Sequence, residues 1–330
     1  MTELNVLLSV CIPTYNRFRY LKESLDVLLP QAQQHGVEVC VSDNYSTDET
    51  ANYLNELTTK YPCLRYVTQD RNIGLDKNMG AAIAMGSGVY LYPLGDDDVI
   101  PAESLCAILR ELEEGVDAVV QNGWHTDSSL SPKMMHLPVA IQASLFTSPA
   151  NAFDALWDKM PFGSFLATRE CFEKEKFTRY VGTSHAYTGA IWDALAEKYE
   201  TTGACKVKCM SQPTVLLRGG EKSWRNDAAL IMLYEIPRWF SLVMEKEVYK
   251  RVVGPIRLAY IQQQIGYRTL LQYRAIGQLG KPLIKRLALE YSLEQMKRVN
   301  IIASLPQNIA GWLIHSRDLL RTVVKFLLKK

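Results

Sequence analysis

The feature that most constrains the fold is an alternation of short apolar runs with longer amphipathic segments through the first 120 residues. Strand-like runs and helix-like segments take turns along the chain. Their approximate ranges, in order, are 7–12, 17–33, 37–42, 47–60, 64–68, 76–85, 89–94 and 102–112. Strands that alternate with helices in this way form a mainly parallel sheet with helices on both faces. The predicted fold class is therefore α/β.

The pattern changes after about Asp117. Irregular strands and loops are predicted over 124–149, helices over 151–158 and 184–199, a short apolar stretch over 162–167 and a strand pair over 205–217. From about Asp227 the chain is helical, with proline and glycine as the only breakers. We therefore predict an α/β domain over 1–225, with halves 1–120 and 121–225, and a helical C-terminal region over 226–330.

Composition excludes several classes of protein. The hydrophobic fraction of 48% and the charged fraction of 22% are ordinary for a globular chain and argue against disorder. Seven cysteines, odd in number and scattered, are typical of a reduced cytoplasmic protein. The start lacks a signal-peptide pattern, and no apolar run approaches the roughly 20 residues of a spanning helix. The expected protein is neither secreted nor transmembrane.

Charge is distributed unevenly along the chain. Residues 1–245 hold 21 Lys and Arg against 31 Asp and Glu, whereas residues 246–330 hold 16 against 4. From Trp312 to Lys330 an apolar stripe lies opposite five basic side chains, which suits the surface of an anionic membrane. Packing on the α/β domain and a homodimer interface are the alternatives. Nucleic-acid binding is a poor fit, because the basic segment has no aromatic stacking platforms.

Polar residues follow each of the first four predicted strands. They are Pro13-Thr14-Tyr15-Asn16-Arg17, Asp43-Asn44, Asp70-Arg71-Asn72 and Gly95-Asp96-Asp97-Asp98. In open α/β sheets ligands bind outside the carboxyl ends of the strands, so these residues are the first candidates for a binding site.

The aspartate triplet is the most specific of these segments. Three adjacent carboxylates raise one another's pKa, and a bound cation removes that penalty. Mg²⁺ and Mn²⁺ take oxygen ligands and keep positions open for phosphate oxygens, so Asp96, Asp97 and Asp98 suit a metal-bridged diphosphate. The alternative is an acidic turn that caps the helix beginning near Ala102.

Four segments together resemble the nucleotide-binding half of family 2 glycosyltransferases in order and spacing. They are SVCIPTYNR (9–17), VEVCVSDNYSTDET (37–50), DRNIGLDKN (70–78) and LYPLGDDDVIPAE (91–103). The resemblance implies the GT-A fold, a Rossmann-like mainly parallel sheet flanked by helices. It also implies inverting transfer from a nucleoside diphosphate sugar, a DXD-type site for Mn²⁺ or Mg²⁺, a nucleotide-sugar half over 1–120 and an acceptor half over 121–225.

The resemblance also assigns roles to individual residues. Pro13, Thr14 and Tyr15 would line the nucleoside pocket, and Asp43 would accept a hydrogen bond from a pyrimidine base, uracil or cytosine. The ribose and diphosphate would be held by Arg17, Arg71 or Lys77, Asn72, Asn78, Asp96 and Asp97, and the metal by Asp96 and Asp98. Gly95 stands where many relatives carry the first aspartate, so which two of the three aspartates touch the ion stays open.

An inverting transfer needs a base that takes the proton of the acceptor hydroxyl. Many family members supply it from a Glu-Asp pair at the start of a helix, and residues 181–187 contain no such pair. His185 has an intrinsic pKa near neutrality and is the first candidate, followed by Asp193 and Glu221. The alternative is a histidine that only packs or caps its helix.

Two later tracts, YVGTSHAYTGAIW (180–192) and VLLRGGEKSW (215–224), resemble the acceptor half of abequosyltransferase-like members of the family. The resemblance implies a donor such as CDP-abequose or another CDP- or UDP-sugar. It also implies a lipid-linked O-antigen-type acceptor and a cytoplasmic enzyme peripheral to the inner face of the membrane. The alternatives are a capsule, exopolysaccharide or teichoic-acid glycosyltransferase, and a non-catalytic sugar-nucleotide-binding relative.

Overall fold

The structure is a computed structural model that describes residues 6–130, 144–158, 162–219 and 223–314. The chain divides into two compact units, Met1–Glu221 and Lys222–Lys330.

The described residues of the first unit form eight strands. They are β1 Leu8–Thr14, β2 Glu38–Asp43, β3 Leu64–Thr68, β4 Tyr90–Pro93, β5 Ala118–His125, β6 Ser144–Phe146, β7 Phe165–Thr168 and β8 Val207–Leu217. The helices of this unit are α1 Phe18–His35, α2 Thr50–Lys60, α3 Leu75–Met85, α4 Ser104–Leu112, α5 Pro149–Leu156, α6 Lys174–Arg179 and α7 Ala186–Thr202.

All eight strands form one mixed sheet, in the order β3-β2-β1-β4-β7-β5-β8-β6. The pairs β1–β2, β2–β3, β1–β4 and β5–β8 are parallel, whereas β7 is antiparallel to both β4 and β5, and β6 to β8. The prediction of a mainly parallel α/β sheet is confirmed. Because β2, β1 and β4 are parallel neighbours, their carboxyl ends at Asp43, Thr14 and Pro93 share one edge.

Burial of both faces of the sheet explains why the central strand β1 is a largely apolar run. Every residue of β1 is buried, as expected for a parallel strand covered by helices on both sides. On α1, Leu21, Leu25 and Leu28 recur at helical spacing and join the core beneath the sheet. Each such leucine contributes about 1.5–3 kcal/mol of hydrophobic free energy when fully buried. Gly36 ends α1 in the left-handed conformation, with φ of 66°.

The predicted elements of the first 120 residues are confirmed, with bounds that differ by up to three residues. The prediction omitted α6 and was wrong in two further places after residue 117. It missed β5, in which Gln121 and Asn122 interrupt the apolar pattern although both are buried. It also expected a strand pair over 205–217, where the chain forms the single strand β8. The register of β8 shifts against β5 near Pro213, and this irregularity resembles a turn in the sequence.

The second unit is helical. Its elements are a short 3₁₀ turn Ser223–Asp227, α8 Ala228–Leu230, a π-helical turn Ile231–Glu235, α9 Ile236–Val243, a 3₁₀ turn Glu247–Tyr249, α10 Lys250–Gln264, α11 Tyr267–Ala275, α12 Lys281–Glu290, α13 Leu293–Ala303 and α14 Gln307–Leu313. A separate apolar core includes Leu233, Ile261, Leu270 and Leu287. Ser292 and Gln295 form a reciprocal capping box at the start of α13.

No helix within the described ranges is long and apolar enough to cross a membrane. Of the predicted basic tail from Trp312 to Lys330, only residues 312–314 are described, and Trp312 is exposed. The rest of that prediction lies outside the described residues.

Candidate active site

The loops after β1 and β2 interlock. The backbone N–H of Asn16 donates to Ser46 Oγ at 2.8 Å, and the N–H of Thr47 donates back to Asn16 Oδ1 at 2.7 Å. Asp48 accepts the N–H of Phe18 at 3.0 Å and so satisfies the first turn of α1. These loops are therefore held in one fixed arrangement at the carboxyl edge of the sheet. Sequence reasoning assigned no role to Asp48, although it lies inside one of the quoted segments.

Asp43 ends β2 and has no exposed surface. Its Oδ1 accepts the N–H of Ser46 at 3.1 Å, while its Oδ2 has no hydrogen-bond partner among the described residues. A buried carboxylate oxygen without a partner is costly, by about 1–3 kcal/mol or more. Thr14 is its neighbour in register on β1 and is buried with Pro13, whereas Tyr15 is 43% exposed. The arrangement offers an acceptor for the N–H group of a ligand.

The loop before α3 is fastened to the end of β2 by a pair of asparagines. Asn44 Nδ2 donates to Asn72 Oδ1 at 3.0 Å, and Asn44 Oδ1 accepts the N–H of Ile73 at 2.8 Å. The structure therefore brings Asn72 to the edge where Asp43 lies, while Arg71 and Lys77 are exposed. Asn44 was among the strand-end candidates for a binding site, but its role in fastening this loop was not predicted.

Asn78 lies deeper than predicted. It is 2% exposed, and its amide donates to the carbonyls of Thr14 at 3.3 Å and Ser42 at 2.9 Å. These bonds tie the ends of β1 and β2 together. Asn78 therefore shapes the floor of the site from within the protein.

The aspartate triplet follows β4 and meets a basic side chain from the loop after β1. The Asp96 carboxylate accepts hydrogen bonds from Thr14 Oγ1 and Arg17 Nε, each at 2.9 Å. The Asp97 carboxylate accepts one from Arg17 Nη2 at 2.5 Å. Burial raises the pKa of Asp96 to about 6, against the attraction of Arg17. Arg17 therefore already supplies a positive charge that offsets part of the charge of the triplet, without a bound metal.

Asp98 lies in a cradle made by backbone. Its Oδ1 accepts the N–H of Arg218 at 3.1 Å. A Cβ atom built on Gly95 would lie 2.8 Å from its Oδ2, and one built on Gly163 would lie 3.0 Å away. Side chains at either glycine would therefore crowd this carboxylate. The cradle joins the end of β4 to the segment before β7.

Arg218 is the main residue of the site that sequence reasoning missed. It is 3% exposed, and it donates to Asp97 O at 3.0 Å, Ser128 O at 2.6 Å and Glu23 Oε2 at 2.6 Å. Its guanidinium and that of Arg17 lie 5.1 and 4.6 Å from the centroid of the Tyr20 ring, within cation–π range. Arg218 directly follows β8. It could therefore have been found by inspecting the residues after each predicted strand, as was done for the first four strands.

The donor groups suit a divalent ion only in part. Within the described residues, no group of three or more His, Cys, Asp or Glu side chains converges as a metal site. Mg²⁺, however, usually takes one or two carboxylates together with phosphate oxygens and waters rather than an all-protein cage. Asp96 and Asp98 are oxygen donors of that kind on one loop. The residues thus fit an ion that binds together with a diphosphate.

His185 immediately precedes α7, at its N-cap position. Its Nδ1 lies 3.2 Å from the carbonyl oxygen of Thr183, and since a carbonyl can only accept, Nδ1 donates and the lone pair lies on Nε2. Burial lowers the pKa of His185 below its ordinary 6.5, which favours the neutral ring. Two residues later, Tyr187 stacks edge-on with Phe162 at 5.2 Å and contacts the backbone of Gly163. The start of α7 therefore adjoins the Asp98 cradle.

The structure does not bring Asp193 to this site. Asp193 is 2% exposed, and its carboxylate accepts Tyr180 Oη at 2.6 Å and Arg179 Nη1 at 2.7 Å. It lies eight residues beyond His185, about 12 Å along the helix at 1.5 Å per residue. These contacts favour a structural role over the predicted catalytic one. Glu221, the third candidate base, lies outside the described residues.

Comparison with known families agrees with this geometry. The model of the family described as glycosyl transferase family 2 matches residues 9–174, which include the loops after β1, β2, β3 and β4. The chain belongs to this family and is a sugar-nucleotide-dependent glycosyltransferase.

Among the proteins similar to this chain are two sequence relatives and one solved structure. Abequosyltransferase RfbV of Salmonella typhimurium is 28% identical over 240 residues, which cover 66% of this chain and 68% of that protein. Glycosyltransferase GlyG of Streptococcus pneumoniae is 27% identical over 129 residues, 38% of this chain and 42% of that one. The crystal structure of S. aureus TarS 1–349 in complex with UDP-GlcNAc superposes with a TM-score of 0.57 at 14% identity, over 90% of this chain and 79% of TarS. The predicted GT-A fold and the abequosyltransferase-like sequence are confirmed.

Proposed function

We propose that this enzyme transfers a sugar, with inversion, from a pyrimidine nucleoside diphosphate sugar to a lipid-linked O-antigen-type oligosaccharide. The observation that carries the proposal is the unpartnered Oδ2 of Asp43, on the same sheet edge as Asp96 and Asp98. One end of this edge suits a nucleobase and the other suits a diphosphate. The similarity to an abequosyltransferase supports a CDP-sugar such as CDP-abequose as the donor.

In this proposal Asp43 accepts a base N–H, either the uracil N3–H or the cytosine amino group. Pro13, Thr14 and Tyr15 line the nucleoside pocket. Toward the diphosphate, Arg17 and Lys77 supply positive charge, and Asn72 fastens the loop before α3, the helix that carries Lys77. The residues that recognise the base thus lie at the ends of β1 and β2, and those that face the phosphates follow β1 and β3.

A Mg²⁺ or Mn²⁺ ion held by Asp96 and Asp98 would neutralise charge on the leaving diphosphate. The chain's own contribution is to hold these carboxylates in place. Arg17 does so for Asp96, and the N–H of Arg218 does so for Asp98. Asp97, which also accepts from Arg17, would complete the ribose side of the pocket.

His185 would act as the base. With Nδ1–H held by Thr183 O, the Nε2 lone pair is the atom that takes the proton of the acceptor hydroxyl. The lowered pKa keeps the ring neutral, and so ready to accept, at physiological pH. We call residues 182–186 the acceptor-side loop.

The C-terminal tail, from Trp312 to Lys330, would hold the enzyme at the cytoplasmic face of an anionic membrane, where a lipid-linked acceptor is available. Support comes from the excess of basic residues after Lys246 and from the exposed Trp312. Deletion of residues 315–330 should reduce sedimentation with anionic vesicles, more at low salt than at high salt. A halved mass with unchanged vesicle binding would instead indicate a homodimer tail.

The test of the donor class is a binding and transfer screen with CDP-, UDP-, GDP- and TDP-sugars in the presence of Mn²⁺. A pyrimidine nucleotide should bind most tightly, and Asp43→Asn should weaken its binding by about 1.5–3 kcal/mol, the value of a hydrogen bond to a charged group. Asp26→Asn, which alters an exposed carboxylate on α1, is the matched control. If Asp43→Asn binds the pyrimidine nucleotides as tightly as the wild type does, the proposed base contact is contradicted. Transfer to a capsule-type or teichoic-acid acceptor alone would favour the alternative acceptors.

A further inference from the structure

A single carboxylate from α3 organises the acceptor-side loop. Asp76, the second residue of α3, accepts four backbone N–H groups from that loop, although 106 residues separate it from Gly182. Its Oδ2 accepts from Gly182 at 2.7 Å, Thr183 at 3.1 Å and Ser184 at 3.1 Å, and its Oδ1 accepts from Ala186 at 3.2 Å. The fifth N–H of the loop, that of His185, donates to Thr183 Oγ1 at 3.3 Å. Every N–H of the loop therefore has a partner.

The conformation of this loop needs such an external partner. Gly182 and Ser184 have φ of 87° and 59°, both in the left-handed region. That region is disfavoured for a residue with a side chain such as Ser184. Successive N–H groups that converge on one point form an anion-binding concavity, and the start of α7 adds the positive end of a helix dipole. The Asp76 carboxylate fills this concavity from within the protein.

The loop in turn orients the candidate base. The His185 ring is held by its Nδ1 contact with Thr183 O, and Thr183 is one of the residues whose N–H groups bind Asp76. A change in the loop backbone would therefore redirect the Nε2 lone pair. Asp76 does not reach the reacting atoms itself, and it acts through the loop.

The same carboxylate is connected to the donor side. Asp76 follows the loop in which Asn72 pairs with Asn44 at the end of β2, next to Asp43. Lys77, which the proposed function places at the diphosphate, is its neighbour in sequence. One short segment, residues 72–77, thus contacts the donor edge on one side and holds the acceptor-side loop on the other.

We propose that Asp76 is a positioning residue that sets the acceptor-side loop, and with it His185, in the correct place relative to the bound donor. This inference rests on the proposed function, in which His185 is the base. A one-ångström misplacement of a catalytic group can lower the rate about 10²-fold. Loss of the Asp76 contacts should therefore reduce turnover without weakening donor binding.

The charge of Asp76 gives a second signature. Burial lowers the pKa of His185, whereas the nearby Asp76 carboxylate raises it. Removal of that negative charge should move the acidic limb of the pH–rate profile to lower pH. Loss of a carboxylate that is remote from the base would not move that limb.

The test compares Asp76→Asn, Asp76→Glu, His185→Ala and the double variant Asp76→Asn/His185→Ala. Asp76→Asn should lower kcat for transfer about 10²-fold, leave donor affinity unchanged and shift the acidic limb downward. Asp76→Glu keeps the charge and should lose turnover while the limb stays in place. If Asp76→Asn folds poorly, Asp76→Glu alone tests whether the position of the carboxylate controls turnover. The double variant should be no slower than His185→Ala, because both changes remove the same contribution.

The matched control is Asp117→Asn. Asp117 is another buried carboxylate that accepts a backbone N–H, from Lys206 at 2.7 Å, and it pairs with Lys198 near the other end of α7. This variant should lose stability but keep the wild-type kcat and pH profile. Normal turnover and an unshifted limb in a folded Asp76→Asn protein would overturn the inference. Wild-type turnover in His185→Ala would instead reject the proposed base and overturn the inference with it. That outcome is distinct from the previous one, in which His185→Ala is still impaired.

Discussion

We call the loops after β1, β2 and β3 the donor-side loops. They and the acceptor-side loop are held in place by different means. On the donor side, polar side chains bind the backbone or side chains of adjacent loops, as Asn44 does with Asn72 and Asp48 does with Phe18. On the acceptor side, consecutive backbone N–H groups converge on the single side chain of Asp76. The donor side therefore depends on many contacts within short motifs, whereas the acceptor side depends on one distant carboxylate. Changes on the two sides should have different kinetic signatures.

The largest effect is expected where both sides meet, at Asp98. Its carboxylate is bound by the N–H of Arg218 and lies against Gly163, which adjoins the start of α7. A metal ion contributes several kcal/mol of charge stabilisation, so Asp98→Asn should lower kcat by about 10³-fold or more. Steady-state kinetics with Mn²⁺ or Mg²⁺ would measure this loss. Full wild-type activity in excess EDTA would contradict the metal assignment.

A smaller effect, confined to the acceptor side, is expected for His185→Ala. General-base catalysis contributes about 10²- to 10⁴-fold, so kcat should fall by that order while donor affinity stays unchanged. Calorimetric titration of the nucleotide and single-turnover transfer would separate the two quantities. Weaker donor binding in this variant would show that the two sides are not separable in the way the structure suggests.

The pH dependence of the wild-type enzyme is a further test of His185 as the base. A base must be neutral to accept a proton, so activity should rise with pH as His185 loses its proton. Because burial lowers the pKa of His185, the midpoint of that rise should lie below its ordinary 6.5. His185→Ala should remove the part of this limb that is due to His185 and leave the part that is due to Asp96, whose pKa burial raises to about 6.

The same contrast explains what the sequence could predict. The donor-side residues lie in contiguous segments directly after regular strands, so Asp43 and Asp96 could be identified from strand periodicity alone. Asp76 and Arg218 act on loops more than 100 residues away in the chain, as the separations of 106 and 120 residues for their bonds to Gly182 and Asp98 show. No local pattern encodes such pairings. Arg17 was predicted at the site, but its pairing with Asp96 required the structure.

Buried polar side chains are a second feature that the sequence alone does not reveal. β5 was missed because Gln121 and Asn122 are polar, yet Gln121 accepts Thr214 Oγ1 at 2.8 Å and Asn122 donates to Ser211 O at 3.0 Å. A buried polar side chain with a partner can occupy a central strand, and the partner is invisible in the sequence. Asp193 shows the reverse case, since a carboxylate on the helix that follows His185 resembles a catalytic residue until its partners are known.

The smallest effect on catalysis is expected for Asp193→Asn, which tests whether the acceptor side ends at the start of α7. Asp193 binds Tyr180 Oη and Arg179 from beneath the helix, and the ring of Tyr180 packs so closely on α7 that a Cβ built on Gly189 would lie 2.3 Å from it. These contacts brace the helix rather than the substrate. Replacing the charged acceptor should lower the free energy of unfolding by about 1.5–3 kcal/mol, the value of a hydrogen bond to a charged group. Chemical denaturation would measure that change. The kcat of the folded variant and its pH profile should equal those of the wild type, because His185 and its Thr183 contact are untouched. A loss of turnover like that of His185→Ala, without a loss of stability, would restore Asp193 as a catalytic residue and extend the acceptor side along α7.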